Sequence, residues 1–281
     1  MIPHRWVRSP MRYPGGKDRL KAFLVSRMLP LPASVTSYVE PFVGGGSTLI
    51  AMSLSCPHIK KFIANDRDHG VGCLWRCIAD NRLSRRLAGR IARVSPTPEL
   101  HAQCEEMLDS TDPLDAAFAC LVRNRMSYDG ILTSGVLGGC GQNGKYRAGC
   151  RYNAKELSRR ITALHSHFNG RLLVRNQDWS DVVVQYDKPS VQMFLDPPYW
   201  EHGNELYRVQ FTLLDHCRLA WRLHHTRCRW LLTYDEHPAI RRLYGSATIE
   251  RIGVKQEADA QGHPVATKWE LVIRSTSTPN S

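Results

Sequence analysis

Short apolar runs alternate with helical patterns along most of the chain. Five runs have the length and apolar content of buried strands: residues 35–40, 61–64, 171–175, 191–195 and 229–233. Apolar positions recur at helical spacing in four stretches: 20–28, 48–54, 69–128 and 212–225. This alternation predicts an α/β fold with a mostly parallel sheet. Two later runs, 247–253 and 268–274, predict an antiparallel hairpin at the sheet edge, with a polar turn around Gln261.

A glycine turn follows the first predicted strand. Residues 41–47 read Pro-Phe-Val-Gly-Gly-Gly-Ser and lead into an apolar helix. Glycines at such a turn let a ligand approach the backbone. Asp66 ends the second strand twenty residues past Gly46, the spacing at which an acid reaches ribose hydroxyls. Because Leu49 replaces the third glycine of a dinucleotide fingerprint, we expect an adenosine-containing ligand without a pyrophosphate.

A rigid polar turn ends the apolar run 191–195. It reads Asp196-Pro197-Pro198-Tyr199-Trp200. The prolines fix φ and lack N–H donors, so a carboxylate, a carbonyl and an aromatic ring are available to a flat ligand with an amino group at its edge. The alternative is an ordinary proline turn with a solvated Asp. Parallel strands place their carboxyl ends at one edge, so we expect this turn, the glycine turn and Asp66 to share a crevice.

The net charge of +12 points to a polyanionic partner. Residues 121–175 hold ten Lys or Arg against two acids. Within them, the segment 129–152 is rich in glycine and carries Lys145, Arg147 and Arg151. A basic loop of this length is typical of nucleic-acid binding, and the alternative is a solvated surface excursion.

Four polar residues close the helical stretch before this loop: Arg123, Asn124, Arg125 and Tyr128. Arg pairs with guanine edges or phosphates, Asn pairs with adenine, and Tyr wedges into space left by an extruded base. We therefore predict that these four, with the three basic loop residues, contact DNA. The alternative is that Asn124 and Tyr128 cap and pack their helix.

Composition limits the remaining classes. The 281 residues suffice for a full core, no run of eighteen apolar residues is present, and residues 1–6 lack the apolar core expected of a signal peptide. The nine cysteines form no Cys-x-x-Cys pair, so we expect reduced thiols and no metal site. The chain is expected to be a cytoplasmic protein, monomeric or weakly dimeric.

The chain resembles the Dam-type N6-adenine DNA methyltransferases, whose catalytic motif contains Asp-Pro-Pro-Tyr. Its matching segments follow in order along nearly the whole chain: 12–17, 41–47, 63–66, 123–131, 196–199, 232–235 and 270–273. The resemblance implies a Rossmann-like S-adenosylmethionine-dependent methyltransferase with S-adenosylmethionine as methyl donor and adenine in double-stranded DNA as acceptor. The chain departs from the family at Tyr13, where Trp is common, and in the recognition region beyond 131.

The resemblance also assigns cofactor-binding residues. Tyr13 and Lys17 would contact the cofactor, and Gly44, Gly45 and Gly46 would line its methionine end. From the same turn we add Phe42. Two acids are added to this set: Asp66 would bind the cofactor's ribose, and Asp178 would contact the amino group of the cofactor's adenine.

The catalytic residues implied are Asp196, Pro197 and Tyr199. Asp196 would also border the cofactor. The Asp196 carboxylate and the Pro197 carbonyl would accept the two hydrogens of the adenine amino group, and Tyr199 would stack on the base. This chemistry requires no metal.

We accordingly expect three parts. Residues 1–80 and 166–275 form a discontinuous catalytic domain, 81–165 form a helical and loop insert for DNA target recognition, and 276–281 form a tail. Two other functions stay open from the residues: methylation of cytosine N4, and a silent DNA-binding protein on the same fold.

Overall fold

One twisted sheet organises the molecule. The computed structural model describes residues 4–12, 17–201, 208, 210–254 and 267–275. Its strands are β1 (Ser37–Glu40), β2 (Lys61–Asn65), β3 (Leu172–Arg175), β4 (Val191–Leu195), β5 (Arg229–Asp235), β6 (Thr248–Val254) and β7 (Lys268–Arg274). They form a seven-stranded sheet in the order β3-β2-β1-β4-β5-β7-β6.

Strands β1 to β5 are parallel, and β7 pairs antiparallel with both β5 and β6. The predicted α/β class and terminal hairpin are confirmed. The proposed turn at Gln261 and the tail 276–281 lie outside the described residues. Strand order reverses between β1 and β4, and such a switch point opens a ligand crevice at the carboxyl ends.

Helices connect and cover these strands. Their bounds are α1 (Lys21–Met28), α2 (Ser47–Ser55), α3 (His69–Ala79), α4 (Asn81–Ala92), α5 (Pro98–Met107), α6 (Pro113–Met126), α7 (Ala154–Phe168), α8 (Trp179–Gln185), α9 (Leu213–His224) and α10 (Pro238–Leu243). The stretch 69–128, whose pattern is helical throughout, is divided because side-chain caps restart the helix. Asp80, Thr97 and Asp112 each accept a backbone N–H at the start of α4, α5 and α6.

Two hydrophobic clusters enclose the sheet. One contains buried residues of α1 to α7, including Trp75, Leu121 and Leu164, together with Phe62 and Phe194 of the sheet. The other contains residues of α8, α9 and α10 packed on the opposite face. The helices of the predicted insert 81–165 therefore share one core with α2 and α3. The division of the chain into catalytic and recognition parts stays a prediction.

The thiols are all unpaired. Six cysteines are buried and three are exposed, at positions 140, 150 and 217. Within the described part of the chain, no group of His, Cys, Asp or Glu has the arrangement of a metal site. Across those same residues, no helix has the length and apolar character needed to cross a bilayer.

Candidate active site

A cavity of about 440 Å³ opens at the carboxyl ends of the parallel strands. The glycine turn after β1, Asp66 after β2 and Asp196 after β4 all line it. The fold thus brings these three segments into one crevice, as predicted. The lining also includes the aromatic residues Trp179 and Phe211 and a group of three arginines, Arg12, Arg125 and Arg160.

The glycine turn is fixed from behind by Trp75 of α3. Its indole Nε1 donates to the Gly44 carbonyl at 2.9 Å. Gly46 has φ +64°, and a Cβ atom there would lie 2.2 Å from the Trp75 ring. Glycine is required at this position both for the left-handed backbone and for the close packing.

Asp66 links the glycine turn to the next helix. Its carboxylate accepts the Gly44 N–H at 2.9 Å and the Asp68 N–H at 2.9 Å. Burial, reinforced by the charge of Asp68, raises the pKa of Asp66 to about 7, although these hydrogen bonds favour the ionised form. Asp66 is therefore poised to take up or release a proton near neutral pH.

Asp196 is held by two donors. Thr233 Oγ1 donates to its Oδ1 at 2.6 Å, and Lys17 Nζ lies 2.9 Å from its Oδ2. The contact with Thr233 follows from strand register, because Leu195 pairs with Leu232 immediately before it. Lys17 is only 4% exposed. Each carboxylate oxygen still has a lone pair for a further donor.

Tyr199 lies beside this ion pair. Its hydroxyl donates to Glu270 Oε2 at 3.0 Å, and Lys17 Nζ lies 4.8 Å from the ring centroid. Pro197 is buried within the turn, and Pro198 lines the cavity. The chain after Tyr199 is also anchored, since Asp235 accepts the backbone N–H of residues 200 and 201 at 3.0 and 3.1 Å.

An acid at the end of β1, Glu40, lines the cavity but was not predicted as a site residue. Its Oε1 accepts the Tyr38 hydroxyl at 2.8 Å. Burial raises the pKa of Glu40 well above its usual value; the hydrogen bond from Tyr38 opposes this and the charge of Asp196 adds to it. Besides Asp66 and Asp196, the site thus contains a further carboxyl group whose burial favours its neutral form.

Three aromatic side chains form one wall of the cavity. Phe42 stacks near Trp179 with ring centroids 6.2 Å apart, and Phe211 meets Phe42 edge-on at 5.7 Å. Trp179 Nε1 is buried and has no hydrogen-bond partner among the described residues. Such a wall suits a flat heterocycle that offers an acceptor atom.

Asp178, predicted at the adenine end, lies next to this wall but outside the cavity lining. Its side chain caps α8 through Ser180 N–H and hydroxyl, and it lies 3.6 Å from Arg67. Burial opposes ionisation, but the hydrogen bonds from Ser180 and the charge of Arg67 lower the pKa of Asp178 overall. Its role with the cofactor stays a prediction, and Tyr13 lies outside the described residues.

Arg123 and Asn124 correct the expected DNA interface, because both side chains are buried, at 2% and 0% exposed. Arg123 donates to the Leu132 and His101 carbonyls at 2.7 and 3.0 Å. Asn124 accepts the Arg12 N–H and donates to the Arg12 and Gly130 carbonyls. Neither reaches the surface, since both satisfy backbone groups of the loop and of the segments packed against it. For Asn124 the packing alternative is the one observed.

The other predicted DNA contacts are accessible. Tyr128 is 53% exposed, and Lys145, Arg147 and Arg151 are exposed in the glycine-rich loop. Arg125 lines the cavity and donates to the Arg151 carbonyl at 2.8 Å. Burial, together with the charges of nearby arginines, lowers the pKa of Arg125 to about 10. Their contact with DNA stays a prediction.

Several site residues were missed from the sequence: Glu40, Thr233, Asp235 and Glu270. Each lies on a strand that was predicted, and polar residues at the end of an apolar strand are a usable signal. Thr233 and Asp235 follow the apolar part of β5 as Asp196 follows β4. Glu270 had no such signal, because only pairing of β7 with β5 brings it to this edge.

The fold and the site together define a class. A parallel sheet with an antiparallel seventh strand, and a cavity between a glycine turn and an Asp-Pro-Pro-Tyr turn, are those of a Rossmann-like methyltransferase. The model of the family described as D12 class N6 adenine-specific DNA methyltransferase matches residues 13–258, and the chain belongs to this family. The match favours adenine N6 over the alternative acceptor, cytosine N4, and confirms the resemblance.

Other comparisons are more distant. No curated protein matches the chain. Two solved structures of the rRNA methyltransferase aviRa from Streptomyces viridochromogenes are similar to it at 15% and 16% sequence identity, with TM-scores of 0.38 and 0.37. These similarities cover 96% and 93% of this chain and 89% and 86% of those chains. The family assignment therefore rests on the family match.

Proposed function

We propose that the protein transfers a methyl group from S-adenosylmethionine to the N6 amino group of an adenine flipped out of duplex DNA, at a specific site. The observation that carries this proposal is the position of Asp196, oriented by Lys17 and Thr233 at the edge of the cavity that the glycine turn lines. Adenine must leave the duplex to reach such a recessed carboxylate.

The cavity suits S-adenosylmethionine in three respects. The glycine turn, with backbone exposed to the cavity, leaves room for the methionine end. Asp66 offers a carboxylate for ribose hydroxyls, and the wall of Phe42, Trp179 and Phe211 offers a face for adenine. When bound, the cofactor supplies a methyl group carried by a positively charged sulfonium.

The protein's own part is to make a weak nucleophile reactive. The Asp196 carboxylate and the Pro197 carbonyl accept the two amino hydrogens, so that the nitrogen lone pair points at the methyl group. The nitrogen–carbon bond forms as the sulfur–carbon bond breaks and its electron pair stays on sulfur. The positively charged nitrogen then loses one proton to water, either directly or through the Asp196 carboxylate that accepts its hydrogen bond. The Asp196 carboxylate places negative charge where this positive charge develops.

DNA would approach over the basic side of the cavity. Arg12, Arg125 and Arg160 line this side, and Lys145 and Arg147 project from the glycine-rich loop. Counterion release by such residues makes affinity fall steeply with salt, so a flat salt response would contradict this assignment. Because the acceptor is DNA, we expect the protein to work in the cytoplasm of a bacterial or phage-infected cell.

The test is to incubate the protein and S-adenosylmethionine with DNA free of methylated bases, digest the DNA and identify the modified nucleosides by mass spectrometry. We expect N6-methyladenine. The variant Asp196→Ala should abolish transfer and largely spare DNA binding, whereas Asp181→Ala, an exposed acid on α8, should leave both unchanged. N4-methylcytosine alone, or no methylated base, would overturn the proposal, and normal turnover by Asp196→Ala would remove Asp196 from the mechanism.

A further inference from the structure

Glu270 is a buried acid whose side-chain hydrogen bond and ion pair, within the described part of the chain, are both made with reactive-site residues. It lies on β7 and is 6% exposed. Its Oε2 accepts the Tyr199 hydroxyl at 3.0 Å and lies 3.8 Å from Lys17 Nζ. Both partners belong to the site built around Asp196. A buried carboxylate is costly unless it is paired, so these two contacts are what stabilise it there.

The sheet does not require this side chain. The backbone of Glu270 pairs with Asp235 on β5 and with Ile252 on β6. The packing of β7 is supplied by the three apolar residues that follow it, Leu271, Val272 and Ile273, all buried. An apolar side chain at position 270 would therefore be sufficient for the pairing and packing of β7, whereas the acid provides the polar partner of Tyr199 and Lys17.

We propose that Glu270 is a positioning residue for methyl transfer, which acts through Tyr199 and Lys17 and does not touch the substrate. The inference rests on the proposed function. The preceding prolines fix the backbone of the turn, but the two side-chain torsions of Tyr199 remain to be fixed. The hydrogen bond to Glu270 fixes the ring that stacks on the base.

The carboxylate also sets the position of Lys17. The ammonium group lies between Asp196 at 2.9 Å and Glu270 at 3.8 Å, and it is 4.8 Å from the Tyr199 ring centroid. Two acids thus share one cation. Without the charge on Glu270, Lys17 would be drawn more strongly towards Asp196 and would compete with the adenine amino group for the Asp196 oxygens.

The experiment measures single-turnover methyl transfer into DNA, with cofactor affinity and melting temperature measured in parallel. Glu270→Met removes the acceptor and the charge at similar length, Glu270→Gln keeps an acceptor, and Tyr199→Phe removes only the hydroxyl. The matched control is Glu250→Gln on β6, an acid that pairs with Arg27 at 2.7 Å and lies outside the cavity lining.

We expect Glu270→Met to slow transfer by roughly 10- to 150-fold, the range that corresponds to loss of a hydrogen bond to a charged group. Glu270→Gln should lose less, and the control should match wild type. Cofactor affinity should change less than the transfer rate, because Glu270 lies outside the cavity lining and, of its two partners, only Lys17 is a predicted cofactor contact. In the Tyr199→Phe background, Glu270→Met should have a much smaller effect than in wild type, since the hydrogen bond is already absent.

Transfer at the wild-type rate by Glu270→Met or by Tyr199→Phe overturns the inference, as does an equal effect of Glu270→Met in both backgrounds. If Glu270→Met does not fold, the same comparison is made with Glu270→Gln. Its effect on the transfer rate should be smaller in the Tyr199→Phe background than in wild type, and an equal effect overturns the inference. Failure of the proposed function looks different, because the wild-type protein itself would then form no N6-methyladenine.

Discussion

Thr233 offers a test of how the catalytic carboxylate is held. Its side chain is fully buried on β5, and its hydroxyl donates to Asp196 Oδ1 at 2.6 Å. The change Thr233→Val removes this donor but keeps the branched shape that a strand favours. Asp196 keeps Lys17 as a partner. The variant should therefore fold and bind the cofactor, but its carboxylate should be less well oriented.

The size of the effect follows from the kind of hydrogen bond. A hydrogen bond to a charged group contributes roughly 1.5–3 kcal/mol. If that orientation is needed in the transition state, the rate constant should fall by about 10- to 150-fold, since 1.36 kcal/mol is a factor of ten. The matched variant Thr233→Ser keeps the hydroxyl and loses one methyl group, at a stability cost of about 1 kcal/mol.

The assay combines single-turnover transfer of labelled methyl groups into DNA with thermal unfolding. We expect the two variants to have similar stability, and only Thr233→Val to be slow. Transfer by Thr233→Val at the wild-type rate would show that orientation by this hydroxyl plays no part in catalysis. The same conclusion would follow if Thr233→Ser were as slow as Thr233→Val.

Three further predictions concern the cofactor site and the interior. Ribose hydroxyls donate to an ionised carboxylate, and the pKa of Asp66 is about 7, so cofactor affinity should rise with pH through 7. It should weaken by about fivefold from pH 7 to pH 6 and by about tenfold for each pH unit below that. Calorimetry should show a flat profile for Asp66→Asn. Arg123→Met should lower the free energy of unfolding by roughly 3 kcal/mol or more, because buried carbonyls lose their donor. Loss of DNA affinity at unchanged stability would instead show that Arg123 contacts DNA. Gly46→Ala should destabilise the protein and abolish cofactor binding, because the added Cβ atom would clash with Trp75. The control Gly139→Ala, at φ +67° with open space around the residue, measures the backbone strain alone. Equal unfolding temperatures for the two variants would contradict the clash.

The reactive turn could be predicted from sequence because its chemistry is local. An apolar run that stops at Asp196-Pro197-Pro198-Tyr199 sets the geometry of the turn through the fixed φ of proline. The glycine turn and Asp66 were likewise readable from their position at strand ends, and parallel strands bring such ends together. The alternation of apolar runs with helical patterns was enough to predict this sheet and its closing hairpin.

The DNA interface shows where the same reasoning failed. Arg123 and Asn124 have the residue types of base-reading side chains, yet both are buried and bind backbone carbonyls of the loop that follows them. A polar side chain in a helix pattern does not reveal whether it faces solvent or a loop that folds back. That choice depends on which backbone groups the loop leaves unpaired, and only the folded chain determines them.

The supports of Asp196 were decided by tertiary structure alone. Thr233 and Glu270 lie far along the chain from the turn that they hold, and each reaches it through strand pairing: β4 with β5, and β5 with β7. Sequence by itself determined which groups carry the chemistry, because those groups follow directly from strand ends and turn residues. Strand order and register determined which side chains orient them, because a hydrogen bond between distant segments exists only once the sheet has brought the two together.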